Sequence, residues 1–246
     1  MRDIGNSAAL ADRWHDRRAV MNLAGKYVMS LLLKREGSLF DDFWSAREDV
    51  CLRFNDGSYV GAAAVRGYYA AQCENTALVS RFLKERFPAQ LGSMSEEELF
   101  GVGQFHGLPI TTPVVEVAGN GETARGLWHV HGTDNTLGPW GPLSWWKLGF
   151  LAIDFRREDG RWRLWHVFHA EDVTAPMGEN WLRPAERKEL PEYAALKALK
   201  KPAYTVVRDN YRPYSPTRPL APPPEIPEPY ESFEQIVGYG EEASVR

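Results

Sequence analysis

Apolar side chains in the first third of the chain recur every three or four residues, which places them on one side of a helix. Over residues 12–33 this spacing gives one apolar stripe, made of Val20, Leu23, Ala24, Tyr27, Val28 and Leu31. The same spacing predicts a shorter helix over 39–46 and a longer helix over 62–86. We therefore expect an N-terminal layer of amphipathic helices.

Local turn and capping signals mark the segments between and after these helices. Residues 49–60 predict two short strands joined by a turn at Asn55-Asp56-Gly57. Ser95 and Glu98 have the spacing of a capping box, so a further helix is expected to begin at Ser95.

From about residue 106 onward the pattern changes to the alternation of half-buried β-strands. It predicts strands over 110–117, 122–131, 145–157 and 161–171. The Gly- and Pro-rich residues 132–144 predict a long loop in the middle of this region. Helices followed by antiparallel strands indicate an α+β fold. A strongly bent, cone-shaped sheet wrapped around the N-terminal helices would enclose a pocket between the two layers.

Proline separates the C-terminal part of the chain from the rest. Of the 17 prolines, 12 lie at or after Pro176, so we expect a domain over 1–175 and an extension over 176–246. Tyrosines and a phenylalanine run through this extension, at Tyr204, Tyr211, Tyr214, Tyr230 and Phe233. These rings favour an extended arm that packs on the domain or on a neighbouring subunit, with one short helix over 184–200. A disordered tail is the alternative.

Composition excludes several classes of protein. Of the 246 residues 43% are hydrophobic, which is enough for a sizeable core, and the net charge of −4 argues against a nucleic-acid-binding protein. The two cysteines, Cys51 and Cys73, form no CxxC motif, so neither a disulfide framework nor a cysteine-rich zinc site is expected. No apolar run is long enough to span a membrane, and the charged N-terminus lacks the apolar stretch of a signal peptide. We expect a soluble, cytoplasmic protein.

Four segments come in the order seen in one known fold. They cover residues 22–30, 56–69, 121–128 and 154–169, the last with the sequence DFRREDGRWRLWHVFH. Over residues 12–175 the chain resembles the nuclear-transport-factor-2-like cone fold, and within it the SnoaL-like enzymes. That group includes scytalone dehydratase, bile-acid dehydratase, polyketide cyclases and a steroid isomerase. The tyrosine- and proline-rich tail is most similar to the sphingomonad diarylpropane γ-formaldehyde lyases.

The chain also departs from the pattern of this family. Many members have an acidic residue five positions after the helix tyrosine, whereas this chain has Leu32 there. A dehydratase that uses that carboxylate as its base is therefore in doubt. On the strand before the 158–160 turn, the alternating inward positions are all apolar, namely Leu151, Ile153 and Phe155.

Four side chains are candidates for catalysis. Tyr27 lies on the apolar stripe of the first helix, so its phenol is expected to face the pocket. His106 begins the sheet, where the resemblance implies an acid/base histidine of near-neutral pKa. His166 shares the period of two with Trp162, Leu164 and Phe168, which predicts that it points inward while His169 points the other way. Lys147, among tryptophans, is a candidate for binding a phenolate. An ordinary core tyrosine, a surface histidine and a histidine bonded to a backbone carbonyl are the structural alternatives.

Aromatic side chains are the candidates for binding the substrate. Trp128, Trp140, Trp145 and Trp146 lie within one short stretch, which is typical either of core packing and loop anchoring or of a pocket for a flat phenolic ligand. Tyr59 is a further candidate for the pocket wall. His129 and His131 project to one face of a strand and, with another histidine, could bind a metal. We favour no metal, with an outward histidine pair of which His131 reaches the pocket.

The resemblance implies a lyase that needs no cofactor and acts on a hydroxylated aromatic small molecule. Its most specific form is deformylation of a lignin-derived diarylpropane diol, which gives a stilbene and formaldehyde. A dehydratase or isomerase acting on a polyketide, steroid or phenolic alcohol is one alternative, and a non-catalytic binding module is the other. Exposed Trp165, Val167 and Leu127 would form a patch that favours a homo-oligomer. The resemblance implies a dimer or a trimer, and similar dehydratases favour the trimer.

Overall fold

The computed structural model describes residues 4–178, 199–208, 211–219 and 222–241, with side chains from residue 11 onward. Its α-helices are α1 (Ile4–Leu32), α2 (Glu36–Phe43), α3 (Ala62–Arg86), α4 (Pro88–Leu91) and α5 (Glu96–Leu99). The three helices predicted from periodicity are confirmed as α1, α2 and α3, and the predicted capping box at Ser95 is present at the start of α5. In the described part of the chain, no helix is both long and apolar enough to cross a bilayer.

The strands form one curved sheet. They are β1 (Cys51–Phe54), β2 (Gly57–Val60), β3 (Gln104–Gly107), β4 (Ile110–Val117), β5 (Thr123–Gly138), β6 (Gly141–Glu158), β7 (Arg161–Pro176) and β8 (Val206–Val207). Their order is β3-β5-β6-β7-β1-β2-β8. Both β3 and β4 pair with the same edge of β5, β4 with residues 124–130 and β3 with residues 133–136. Only the β1–β7 pairing is parallel among these strands. The α+β prediction is confirmed.

The long loop predicted over 132–144 is wrong. These residues extend β5 and β6 into one hairpin whose last pair is Gly138 opposite Gly141. The pattern was misleading because the inward positions of this stretch, Asp134 and Thr136, carry polar side chains that line a cavity. Gly141 has a φ of 95°, which only glycine adopts easily, so it allows the tight turn after Trp140.

The main core lies between the helices and the concave face of the sheet. Val20 and Ala24 of α1 are fully buried, as are Leu151, Ile153 and Phe155 at the inward positions of β6. The predicted helix stripe and the predicted inward face of β6 are therefore confirmed.

A β-bulge in β7 changes which residues face the core. Leu164 pairs with Phe155, but His166 pairs with Asp154, so Trp165 is one extra residue on β7. From His166 onward the alternation is reversed relative to the prediction, and His166 lies on the convex face. A second shift, between the pairs of Leu148 and Gly149, gives β7 another extra residue further along.

C-terminal residues cover part of the convex face. Phe233 packs on Trp165 with ring centroids 4.5 Å apart, and Tyr211 and Tyr239 are buried beside Leu127. The expected exposed patch is therefore wrong: Trp165 is 6% exposed and Leu127 4%, while Val167 is fully buried in the core. Assembly into an oligomer stays a prediction without this support, as does the boundary between 1–175 and 176–246. Most of the helix predicted over 184–200 lies outside the described residues.

Candidate functional site

One cavity lies between the helices and the concave face of the sheet. Its volume is about 220 Å³, and side chains from α1, α2, α3 and five strands line it. Its polar lining residues include Tyr27, Tyr69, His106, Asp134, Lys147 and His169. The cavity thus brings together groups that are far apart in sequence and able to exchange protons.

His106 and Asp134 face each other across two neighbouring strands. They are directly opposite each other in the β3–β5 register, and Nδ1 of His106 lies 3.5 Å from Oδ2 of Asp134. Burial opposes ionisation of Asp134, but the hydrogen bond and charge of His106, with the charges of Lys147 and Lys34, lower its pKa to about 2. Asp134 is therefore a carboxylate at neutral pH, and it can orient the imidazole and stabilise its protonated form.

Lys147 and Glu171 form an ion pair in the same cavity. Nζ of Lys147 lies 3.0 Å and 3.2 Å from the two carboxylate oxygens of Glu171, and the hydroxyl of Thr174 donates to Oε2 of Glu171 at 2.7 Å. Burial raises the pKa of Glu171, but the charge of Lys147 and these hydrogen bonds outweigh it and lower the pKa. The pair places an ammonium group at the wall of the cavity.

Tyr27, Tyr69 and His169 form a row of hydrogen-bonding groups. The hydroxyl of Tyr27 lies 3.2 Å from that of Tyr69 and 3.0 Å from Nε2 of His169. Burial raises the pKa of both tyrosines above the ordinary value for phenols. Burial lowers the pKa of His169 to about 4, since the nearby charge of Glu171 only partly offsets it. At neutral pH the row is therefore made of neutral groups.

Aromatic rings complete the wall beside His169. Phe54 stacks on the His169 ring with centroids 5.5 Å apart and an interplanar angle of 14°, and Tyr68 packs on Phe54. Trp140 and Trp145 also line the cavity. Such a lining suits a flat ligand that carries a few polar groups.

The sequence predictions for this site are met unevenly. Tyr27, His106, Lys147 and Trp145 line the cavity together. Tyr59 lies behind the wall: its hydroxyl donates to the carbonyl of Pro202 at 2.9 Å, and its ring packs on Tyr68. Trp128 is buried in the core against Phe155 and is not among the lining residues.

Three predicted site residues lie on the convex face of the sheet. His131 is exposed and stacks on Trp146, so neither faces the cavity. His166 is buried on the same face, with Nδ1 2.9 Å from Oδ2 of Asp154, because the bulge at Trp165 reverses its orientation. The prediction that His166 points inward is wrong. Among the described residues, no three His, Cys, Asp or Glu side chains gather closely enough to hold a metal ion.

The sequence reasoning missed several residues of the cavity. His169 was expected on the other face, and the bulge turns it inward. Asp134 fell in the segment interpreted as a loop. Glu171 follows His169 with the period of two, so the correct orientation of His169 would have identified it. Glu36 lines the cavity from the start of α2 and had no signal in the sequence.

Comparisons with solved structures find similar folds at low sequence identity. A protein of unknown function from Mycobacterium tuberculosis is 15% identical with a TM-score of 0.45, over 77% of this chain and 94% of that chain. A nuclear-transport-factor-2-like protein with a cystatin-like fold from Novosphingobium aromaticivorans is 19% identical with a TM-score of 0.42, over 77% and 97%. A hexachlorocyclohexane dehydrochlorinase from Novosphingobium barchaimii is 14% identical with a TM-score of 0.42, over 71% and 98%.

No curated protein matches the chain significantly. The model of one protein family, described as the SnoaL-like domain, matches residues 12–167, which include most of α1 and most of the residues that line the cavity. The match covers more than half of the sequence and agrees with the α+β fold and its curved sheet. The chain therefore belongs to the SnoaL-like domain family.

Proposed function

We propose that this protein is a lyase that acts by proton transfer on an uncharged, hydroxylated aromatic small molecule. The observation that carries the proposal is the convergence of three pairs on one aromatic-walled cavity: His106 with Asp134, Lys147 with Glu171, and Tyr27 with His169. Membership of the SnoaL-like family, which the resemblance links to small-molecule lyases and isomerases, supports this class of reaction.

His106 is the residue to which we assign acid/base chemistry. It lines the cavity and its Nδ1 faces the carboxylate of Asp134, which leaves Nε2 for the substrate. A carboxylate in this position stabilises the imidazolium that forms when the histidine takes a proton. The same imidazolium then returns the proton to a leaving hydroxyl group, so one residue serves both steps.

Neither Lys147 nor Tyr27 is assigned the role of a base. The ammonium of Lys147 can stabilise a phenolate oxygen as it develops in the reaction. Tyr27 is 1% exposed and its pKa is raised by burial, so it acts as a neutral phenol that positions His169 rather than as a base.

The charges of the cavity favour an uncharged substrate. Two cationic side chains line it, Lys34 and Lys147, and three acidic ones, Glu36, Asp134 and Glu171. Both cations are close to acidic partners: Nζ of Lys34 lies 4.0 Å from a carboxylate oxygen of Glu36, and Nζ of Lys147 lies 3.0 Å from one of Glu171. An anionic substrate would thus find no excess of positive charge, whereas a phenol or alcohol would find many hydrogen-bonding groups.

The most specific form of the proposal is deformylation of a diarylpropane diol. His106 takes the proton of the terminal hydroxymethyl group, and the bond from that carbon to the chain breaks to release formaldehyde. The electron pair of the broken bond forms the carbon–carbon double bond of a stilbene, while the benzylic hydroxyl leaves as water with the proton from His106. The products balance the substrate, and no electrons are gained or lost overall.

Dehydration or isomerisation of a smaller aromatic alcohol is the second candidate, and the cavity volume favours it. A cavity of roughly 150 Å³ is large enough for benzene, so about 220 Å³ holds one substituted ring. A diarylpropane would have to place its second ring at the mouth of the cavity. The same acid/base histidine serves both reactions.

Product analysis distinguishes these candidates. The purified full chain is incubated with a phenolic diarylpropane diol and with single-ring benzylic alcohols, and formaldehyde, stilbene absorbance and dehydrated products are measured. We expect turnover of one class, lost in His106→Gln and retained in His15→Gln, which changes an exposed histidine of α1. Binding of these compounds with no turnover of any of them would contradict the proposal and favour a binding module.

A further inference from the structure

Glu36 is a buried acidic residue that the proposed reaction does not use. It is the first residue of α2 and lines the cavity, although its side chain is only 6% exposed. Buried glutamates are uncommon unless a partner compensates the loss of hydration. The carboxyl group of Glu36 therefore needs a physical explanation.

Only one of the two oxygens of this carboxyl group has a partner among the described residues. Oε1 lies 4.0 Å from Nζ of Lys34, the longest separation that counts as an ion pair. Oε2 is inaccessible to water and has no hydrogen-bond partner in the described part of the chain. An unpaired buried oxygen is costly and rare in native proteins, so it needs an explanation, and a bound molecule that supplies the missing hydrogen bond is one.

The carboxyl group of Glu36 is surrounded by titratable side chains of the cavity wall. Burial raises the pKa of Glu36, and the charge of Lys34, a hydrogen bond from its own backbone N–H and the charge of His106 only partly offset this effect. Tyr27 and Cys73 are close enough for the charge of Glu36 to act on them, and neither offers its carboxyl group a hydrogen bond. Glu36 thus lies near the proposed acid/base histidine, and no hydrogen-bond donor of the described residues reaches its Oε2.

We propose that Glu36 is a substrate-binding residue, whose carboxyl group makes a hydrogen bond with a hydroxyl group of the substrate. The contact would select phenols and alcohols over the corresponding methyl ethers, because an ether oxygen cannot donate a proton to a carboxylate. This inference rests on the proposed function only in taking the cavity as the substrate site.

The test compares one hydroxylated probe with its methyl ether in full-length variants. Binding of para-ethylphenol and para-ethylanisole is followed by the change in tryptophan fluorescence, to which Trp140 and Trp145 of the cavity wall contribute. We expect the wild type to prefer the phenol, and Glu36→Leu to reduce this preference about ten-fold. Glu96→Leu, which changes an exposed first-turn glutamate of α5, is the matched control and should keep the wild-type preference.

Thermal unfolding of the same variants separates a binding role from a structural one. Because Oε2 has no partner in the described structure, Glu36→Leu should melt at the wild-type temperature or above it. A melting temperature well below that of the wild type would show that the fold needs the carboxylate, and would overturn the inference. An unchanged phenol preference in Glu36→Leu would also overturn it.

A smaller substitution covers the case in which Glu36→Leu does not fold. Glu36→Gln keeps the shape of the side chain and replaces the carboxylate by a weaker acceptor, so the preference should fall at least about three-fold. An unchanged preference in this variant would overturn the inference. Binding is measured without turnover, so the inference and the proposed reaction fail independently of each other.

Discussion

The hydroxyl of Tyr27 on the first helix lies 3.0 Å from Nε2 of His169, 142 residues further along the chain. Tyr27 also lies 3.2 Å from the hydroxyl of Tyr69, so its phenol joins α1, α3 and β7 at the inner end of the cavity. The contact fixes the imidazole of His169 against the stacked ring of Phe54. One phenol oxygen thus contributes both to stability and to the shape of the site.

Tyr27→Phe is expected to lower both the stability of the protein and its turnover. It leaves the His169 nitrogen and the Tyr69 hydroxyl without this partner, so the free energy of unfolding should fall by about 1–3 kcal/mol. Turnover should fall about ten-fold with little change in KM, because the phenol positions His169 and does not bind the substrate. Urea denaturation and steady-state kinetics measure the two effects, and Tyr214→Phe, outside the cavity lining, is the control. Wild-type stability in Tyr27→Phe would contradict the assigned hydrogen bonds.

The low pKa of His169 predicts a loss of stability in weak acid. Its pKa is about 4 in the folded protein and 6.5 when unperturbed, so between these values the unfolded chain binds the extra proton. Stability is complete above pH 6.5 and is lost as the pH falls towards 4, by up to about 3 kcal/mol. The difference in unfolding free energy between the wild type and His169→Gln, measured at several pH values, should change only across this window. A constant difference would show that His169 is not held neutral by burial.

Asp134→Asn tests whether His106 works with its carboxylate. The amide keeps the shape of Asp134 but cannot stabilise an imidazolium, so turnover should fall at least about 100-fold. The turnover of His106→Gln should fall by at least as much. The double variant should be no slower than His106→Gln, because the two residues act as one unit. Independent, multiplying losses in the double variant would separate the two roles and contradict this assignment.

The helices and the inward face of β6 could be predicted because burial alone fixes their pattern. Apolar spacing identified the stripe of α1, and the alternation of Leu151, Ile153 and Phe155 gave the inward face of β6. The orientation of His166 could not be predicted, since the bulge at Trp165 depends on how β7 pairs with β6 and no residue type marks it. One extra residue therefore exchanged the predicted places of His166 and His169.

The two carboxylates Asp134 and Glu171 of the candidate site could not be predicted for a related reason. Asp134 points inward at a position where a core strand would have an apolar residue, so the alternation that indicates a strand is missing there. Lys147 was identified from its aromatic neighbours, but its partner Glu171 lies on another strand after the bulge. Pairs that form across strands depend on the register, which the sequence pattern of a single strand does not contain.

The Lys147–Glu171 pair should behave as one unit in catalysis. Lys147→Met removes the ammonium that faces the cavity and leaves a carboxylate without its counter-charge, so turnover should fall by at least about 100-fold. The double variant Lys147→Met/Glu171→Leu should be no slower and should be more stable than Lys147→Met, because it removes the unpaired charge as well. Steady-state kinetics and urea denaturation test both statements. A double variant less stable than Lys147→Met would contradict them.

The convex face holds a separate polar cluster under the C-terminal residues. The backbone N–H of Tyr239 donates to Oδ2 of Asp154 at 2.6 Å, and the same oxygen lies 2.9 Å from Nδ1 of His166. Arg53 and Arg208 donate to the carbonyls of Tyr239 and Gly240 at 3.2 Å and 3.0 Å. The C-terminal segment 233–241 takes part in these bonds through its backbone N–H and carbonyl groups, so it must approach the sheet closely.

Gly240 permits this close approach, and Gly240→Ala should prevent it. An added Cβ would lie 2.8 Å and 2.9 Å from two atoms of the His166 ring, whose position Asp154 and the covering segment fix. The segment would have to move, which breaks its buried hydrogen bonds and should lower the free energy of unfolding by about 1–3 kcal/mol. Hydrogen exchange over 233–241 should accelerate in this variant. Gly67→Ala, where the new Cβ meets nothing within 4 Å on an exposed part of α3, should instead raise stability by up to about 1 kcal/mol. Slow exchange retained in Gly240→Ala would show that the segment does not depend on close backbone contact with His166.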